Sequence, residues 1–259
     1  MTLYLIGLGL HDEKDISVKG LETVKRCDKI YLENYTSILG CTAKDLEKFY
    51  GQKIVLASRE MAEQSAEKIV NEAKKKTVAF LVVGDPFSAT THVELFRLAR
   101  EKKVPVEVIH NASVLTAIGI TGLQLYKFGR IASIPFRDDV PTLEAPYRIL
   151  QQNYRAKMHT LFLLDLKPGQ KFMTISEAMD RLEEIEMQKK EKIIADNLLV
   201  VACARLGSTD AIVHAGRWKE VKAFDVGKPP YCLIVPSAQL HFLEKEMLGS
   251  YNSKNKATN

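Results

Sequence analysis

Three short stretches of this 259-residue chain gather residue types that could do chemistry. In "FLVVGDPFSATTHVELF", Phe80 to Phe96, an apolar run stops at Gly84-Asp85-Pro86 and small residues follow, Ser88 to Thr91. A carboxylate at the end of a buried strand could favour a cationic ligand or order a polar one. The same tripeptide also suits an ordinary turn. In "LIGLGLHD", Gly7 and Gly9 close another apolar run, and glycines there let the main chain approach a flat, neutral ligand portion. "IHNASVLTAIGITGL" is a third strand end with small residues behind it. Three such ends could line one pocket, because open α/β sheets bind ligands at strand ends.

Other chemistries are excluded by type or spacing. An NAD-binding turn wants G-x-G-x-x-G with a helix at once. Asp12 stands where the third glycine should be, and the helix starts only near Ser17. There is no Walker A lysine loop, no G-x-S-x-G and no H-E-x-x-H. His92, His110, His159 and His214 are scattered without metal spacing, and each reads as structural. No metal is expected. Cys27, Cys41, Cys203 and Cys232 show no C-x-x-C pairing and no histidine partner, so they read as reduced thiols of a cytoplasmic protein.

The elements that must position these stretches alternate. "TLYLIGLG", "KIYLEN", "KIVLAS", "TVAFLVVG" and "VEVIH" read as strands. Between them, helices are predicted near 17–27, with Val18, Leu21 and Val24 on one face, then over 43–50, 60–75 and 91–102. The 60–75 face carries Ala62, Ala66, Ile69, Val70 and Ala73. This alternation predicts a mostly parallel sheet covered on both faces. Pro135, Pro141 and Pro146 punctuate a polar stretch that reads as a linker. We therefore expect domains over 1–134 and 140–259. After the linker come a helix over 143–156, the strand "HTLFLLDL", and a helix opened by Thr174 and Glu177 at capping-box spacing. That helix has the face Ile175, Ala178, Met179, Leu182 and Ile185. Strands "LLVVACARL", "AIVHAGRW" and "YCLIVP" suggest a mixed sheet, and the tail "GSYNSKNKATN" is polar.

Composition suits a globular protein, at 46% apolar and 27% charged residues. No apolar run reaches the roughly 20 residues of a membrane span. The start lacks a basic leader, so no signal peptide is expected. The net charge of +5 favours an acidic partner only mildly, and the lysines are spread over helix-like faces, so direct nucleic-acid binding is not expected.

At "LYLIGLGL", "VVGDPFSATTH" and "VIHNASVLTAIGITGLQLYKFG" the chain resembles the tetrapyrrole-methylase superfamily, the class III methyltransferases. "ATTH", "GITGLQLYKFG" and "SIPF" resemble its diphthine-synthase branch. "HTLFLLDLK", "ARLGS" and "KPPYCLIVP" extend the likeness over essentially the whole chain. The resemblance implies an α/β fold of two domains with the ligand cleft between them. It also implies a homodimer using S-adenosyl-L-methionine and releasing S-adenosyl-L-homocysteine. Carried over residue by residue, it implies cofactor contacts at Leu10, Asp85, Ser88, Ser113 and Val114, and at Leu164, Leu206 and Tyr231 of the second domain. Several of these would act through backbone groups. The implied acceptor is the amino group of a 3-amino-3-carboxypropyl arm on a histidine of translation elongation factor 2, trimethylated to diphthine in diphthamide biosynthesis. The compact length points to archaeal members.

Attack by an amine that arrives deprotonated needs alignment and desolvation more than a strong base. No catalytic residue is therefore named. Among rival readings, a corrin or sirohaem precursor methylase shares the fold and cofactor, but Gly119 to Gly129 argues against it. A ribose methylase acting on RNA would want a concentrated basic face. A plain binding module would gain little from three small-residue strand ends.

Overall fold

A computed structural model describes residues 1–33, 37–58, 66–89, 92–140, 142–167 and 171–252. The expectations placed on Ala62, Thr90, Thr91, Pro141 and the tail from 253 onward fall outside the described residues. The chain divides into two compact units, Met1–Ala117 and Ile118–Asn259.

In the first unit the apolar runs become five parallel strands: β1 (Leu3–Gly7), β2 (Lys29–Glu33), β3 (Ile54–Ala57), β4 (Val78–Val82) and β5 (Val106–Ile109). Their order is β3-β2-β4-β1-β5. All five residues of β4 are buried, as a strand covered on both faces requires. On one face Leu3, Leu5, Phe80 and Val82 pack with Ile69 and Val70 of the helix Ala66–Ala73, and with Leu95 and Ala99 of the helix Val93–Glu101. On the other face Ile6, Ile30, Ala79 and Leu81 pack with Val24 of the helix Val18–Lys25 and Leu46 of the helix Ala43–Tyr50. Ser17 caps its helix, its Oγ accepting from the Gly20 amide at 3.1 Å. Val18 is exposed, and Gly20, Thr23 and Val24 are the residues this helix buries. With strands parallel in this order, the C-terminal ends of β4, β1 and β5 lie side by side.

The second unit holds β6 (Ala132–Ile134), β7 (Thr160–Leu164), the small ladder β8 (Leu166–Lys167) with β9 (Lys171–Phe172), then β10 (Leu199–Ala204), β11 (Ile212–Arg217) and β12 (Tyr231–Val235). Its main sheet runs β11-β10-β12-β7-β6 and is mixed, with only β6 and β7 parallel. The expected helix runs Ile175–Lys189, its Thr174–Glu177 capping box is formed, and Ile175, Ala178, Met179, Leu182 and Ile185 are all buried. The division between units falls at Ala117/Ile118, earlier in the chain than the stretch punctuated by Pro135, Pro141 and Pro146. Two of those prolines mark element ends. Pro135 follows β6, and Pro146 sits in the first turn of the helix Glu144–Arg155, where no backbone donor is needed. No helix among the described residues is long and apolar enough to cross a membrane.

Candidate functional site

The first unit brings five predicted residues to the C-terminal edge of its sheet. After β1 the chain turns through Leu8 and Gly9, and Gly9 bridges to Gly84 just past β4 through paired amides at 3.2 and 2.7 Å. Gly84 has φ +80°, a conformation that favours glycine. A Cβ on Gly7 would come within 2.6 Å of the Gly84 carbonyl oxygen and 2.8 Å of Asn111 Cβ. The close approach is therefore between the turns themselves. Asn111 ties them further, its side-chain amide donating to the carbonyls of Gly7 and Asp15 at 3.0 Å each. Leu10 lies in the first turn, and its amide donates to Asp15 Oδ2 at 3.2 Å.

Asp85 is the hub of this edge. It is 7% exposed. Its Oδ1 accepts from the Phe87 amide at 3.0 Å and the Ser88 hydroxyl at 3.3 Å. Its Oδ2 takes the Asn111 amide at 3.2 Å and lies 2.7 Å from His110 Nδ1. Burial alone would raise the Asp85 pKa, but the Phe87 amide, His110 and the Asn111 amide together hold it below the usual carboxylate value. Asp85 is thus an ionised carboxylate that binds the β4 turn to the β5 turn. The His110 side chain is 67% exposed, and the Phe87 ring meets its edge at 6.2 Å. Ser113 is buried and turns its Oγ to the Leu115 amide, opening the short helix Val114–Ala117. Ser88 and Val114 are half-buried.

The second unit assembles the other three. Antiparallel pairing of Ala204 with Tyr231 and of Cys232 with Leu163 sets the end of β10, the start of β12 and the end of β7 at one sheet edge. Leu206 is buried there, while Leu164 and Tyr231 are half-buried. Arg205, at φ +51°, anchors the loops around them. Its Nε meets Asp210 Oδ2 at 2.7 Å, and its Nη1 donates to the carbonyls of Val226 and Lys228. The Tyr231 hydroxyl donates to the Gly227 carbonyl, and burial raises its pKa, so it stays a donor. This edge offers apolar and aromatic surface, where the first offers small polar groups and an ionised carboxylate.

Three residues that organise these edges were not singled out in the sequence. Asn111 had a signal in its place directly after a strand end. Arg205 had one in the motif "ARLGS". His110 was grouped with the structural histidines, and it differs from them. His92 is buried 3.4 Å from Glu33, and His214 is buried and stacks on Phe224 at 3.8 Å. His159 is buried in a polar network described below. Among the described residues no group of three His, Cys, Asp or Glu side chains is arranged to hold a metal ion.

The block "GITGLQLYKFG" also has a structural basis. Glu244, 0% exposed, accepts from the amides of Gln124 and His241 at 3.1 and 2.7 Å and from Lys127 Nζ at 2.9 Å. His159 Nε2 donates to it at 2.9 Å, because His159 Nδ1 accepts from the Ser237 amide. Gly122 packs against Met247, leaving no room for a Cβ. Leu123 is buried, Phe128 is half-buried, and Leu125 and Tyr126 are exposed.

Comparison with known proteins adds to this geometry. The family model for tetrapyrrole (corrin/porphyrin) methylases matches residues 2–222. The chain is 43% identical over 264 residues to the diphthine methyl ester synthase of Schizosaccharomyces pombe, covering 96% of this chain and 93% of that protein. It is 43% identical over 270 residues to the diphthine methyl ester synthase of Homo sapiens, covering 96% and 95%. A crystal structure of diphthine synthase superposes with a TM-score of 0.90 at 36% identity, covering 98% of each chain. The coverage of these eukaryotic relatives removes the premise that compact length marks archaeal members.

Proposed function

The chain belongs to the tetrapyrrole methylase family, among its diphthine methyl ester synthases, and is a methyltransferase of diphthamide biosynthesis; on that premise we propose its donor, acceptor and site. The donor is S-adenosyl-L-methionine. The acceptor is the 3-amino-3-carboxypropyl arm on a histidine of translation elongation factor 2. The nitrogen takes methyls until it is quaternary. The relatives' printed name adds a step beyond diphthine itself, esterification of the arm's carboxylate. We read the protein as a cytoplasmic homodimer.

The residues present fit such a cofactor. One end of it is charged and hydrogen-bonding, the other a flat purine. The first-unit edge presents Leu10, Asp85, Ser88, Ser113 and Val114, with Asp85 ionised. In the second unit, taken by itself, the proposed contacts are Leu164, Leu206 and Tyr231, two aliphatic side chains and an aromatic one. When bound, the cofactor supplies an electrophilic methyl on a cationic sulfur that leaves as a neutral thioether. The chain's residues hold and orient it, exclude water, and align the incoming nucleophile. The observation that carries the reading is that all five first-unit candidates lie on one sheet edge, the edge that holds the buried Asp85 carboxylate.

The test is transfer of labelled methyl from S-adenosyl-L-methionine. Elongation factor 2 carrying the arm, the same factor without it, and a tetrapyrrole precursor are assayed side by side. Mass spectrometry should show successive CH₂ increments on the arm only. An imidazole nitrogen lacking the arm sits several bonds short of the aligned position. Methylation of the unarmed factor, or of the tetrapyrrole, overturns the acceptor.

A further inference from the structure

We propose that His110 is the catalytic base that removes the proton from the substrate amine before each N-methyl transfer. The inference rests on the acceptor read above. An amine that is a ring-free aliphatic base arrives largely protonated near neutral pH, and its lone pair is then unavailable. Each N-methylation before the last leaves an ammonium N–H that must be lost before the next. The site therefore needs a proton acceptor that can act repeatedly and return to solvent between turns.

His110 has the geometry for this. It follows β5 directly, at the same sheet edge as Asp85, Ser88 and Ser113. Asp85, held by two amides and a hydroxyl of its own turns, fixes the ring through Nδ1 at 2.7 Å. That bond sets the tautomer, with the proton on Nδ1 and the lone pair on Nε2. Nε2 has no partner among the described residues, and two-thirds of the side chain is open. Asp85 is the charged group facing the ring, and Phe87 covers its edge. On the neighbouring glycine turn, Asp15 is turned onto the amides of Leu10 and His11. A buried carboxylate, an imidazole oriented by it and an open second nitrogen are the acid–base arrangement that positions a general base.

The step balances simply. Nε2 takes the ammonium proton, giving imidazolium stabilised by Asp85, and a neutral amine. The amine lone pair forms the N–C bond to the methyl as the C–S bond breaks, its pair going to sulfur. Imidazolium then releases its proton to solvent. Ester formation needs no such step, because a carboxylate is already a nucleophile.

The experiment uses the whole chain with arm-bearing elongation factor 2 and compares wild type with His110→Asn. The asparagine amide can reproduce the Nδ1 bond to Asp85 and removes Nε2. N-methylation should fall on the order of 100-fold at neutral pH, the size of a lost general base. Ester formation on the trimethylated arm should fall much less. The variant's rate should follow the amine's own ionisation, rising with pH toward the amine's pKa with a profile that differs from wild type. Added imidazole should restore N-methylation to His110→Ala. A His110→Asn pH profile parallel to wild type, with the two reactions reduced equally, overturns the base while the proposed function stands. A wild-type chain that methylates only a tetrapyrrole overturns both.

Discussion

Two acid–histidine contacts in this molecule use the same chemical groups at almost the same distance and do different things. Asp85 lies 2.7 Å from His110, and Glu244 lies 2.9 Å from His159. In the second pair both side chains are 0% exposed and both ring nitrogens are occupied, one by the Ser237 amide. Burial lowers the His159 pKa against the pull of Glu244, so the ring stays neutral. Glu244 carries its charge for Lys127, which pairs with it at 2.9 Å, and burial fails to raise its pKa, which falls to about 2. That pair is a bolt between the 124–128 segment and the helix Phe242–Ser250. Asp85–His110 leaves one ring nitrogen open at a sheet edge. The number of ring nitrogens already used separates a structural histidine from a reactive one, and distance alone does not.

The largest effect should come from pulling the bolt. Glu244→Ala takes the acceptor from His159 and from the Gln124 and His241 amides, and the carboxylate partner from Lys127, whose Nζ keeps the Gln239 carbonyl; removing the buried side of such a network costs about 3–5 kcal/mol. Trp218, the chain's one tryptophan, is buried in the second unit, so its fluorescence in a urea titration reports that unit. The midpoint should drop sharply. A midpoint unchanged from wild type would erase the contrast between the two pairs.

Acid should act next, on the first unit. Burial lowers the His92 pKa from 6.5 to about 4. The folded state then binds fewer protons than the unfolded chain over that interval. The His92 contribution is present above about pH 6.5 and is lost as pH falls toward 4, a change of about 3 kcal/mol. Hydrogen exchange of the β1 and β4 amides should speed over this window, and a His92→Gln variant should show a flatter dependence. Equal slopes in both proteins would mean that His92 is not held neutral.

The middle of the scale belongs to Asp85→Asn. It keeps the shape of the hub and removes its charge, so the hydrogen bonds to an ionised acceptor weaken by roughly 1–2 kcal/mol. Stability should fall by that amount, and S-adenosyl-L-homocysteine should bind about tenfold more weakly as the two turns loosen. Calorimetry and a urea titration on the same sample check both. Weaker binding without lost stability would make Asp85 a direct ligand contact first and a loop anchor second.

Much of this architecture was legible in the chain because burial writes a period into the residues. "VAFLV" is buried throughout, and the face from Ile175 to Ile185 reads at helical spacing. Two readings rest on signals with more than one physical cause. Val18 fits a helical face by spacing, yet the small residues Gly20 and Thr23 pack inward with Val24. The prolines near 135–146 read as a domain linker, and Pro135 and Pro146 also mark the ends of elements, as proline does where no backbone donor is needed. At the candidate site, strand ends and small residues were visible from type and order. The partner choices of Asn111, Arg205 and His110 were not, since they depend on loops that meet only in three dimensions. His110 and His159 look alike in sequence because occupancy of a ring nitrogen is a tertiary fact.

The smallest expected effect on stability lies on the surface joined to the bolt. Tyr126 is 83% exposed, although it sits in the same block as Lys127 and next to exposed Leu125. Ile120, Phe242 and Leu243 are exposed too. The Tyr251 hydroxyl holds the Ile120 carbonyl at 2.8 Å, so this apolar skin is carried on a fixed frame. A side chain with so few internal contacts adds little to folding, so Tyr126→Ser should leave the urea midpoint within about 0.5 kcal/mol of wild type. Exposed aromatics grouped with aliphatics do matter for association, where buried tyrosines dominate interface energies. If the proposed homodimer forms through this skin, Tyr126→Ser should shift sedimentation at low micromolar concentration toward monomer while Glu244→Ala shifts it only by unfolding the second unit. A Tyr126→Ser protein that sediments as wild type does, with the same midpoint, would leave this surface to solvent and move the dimer contact elsewhere.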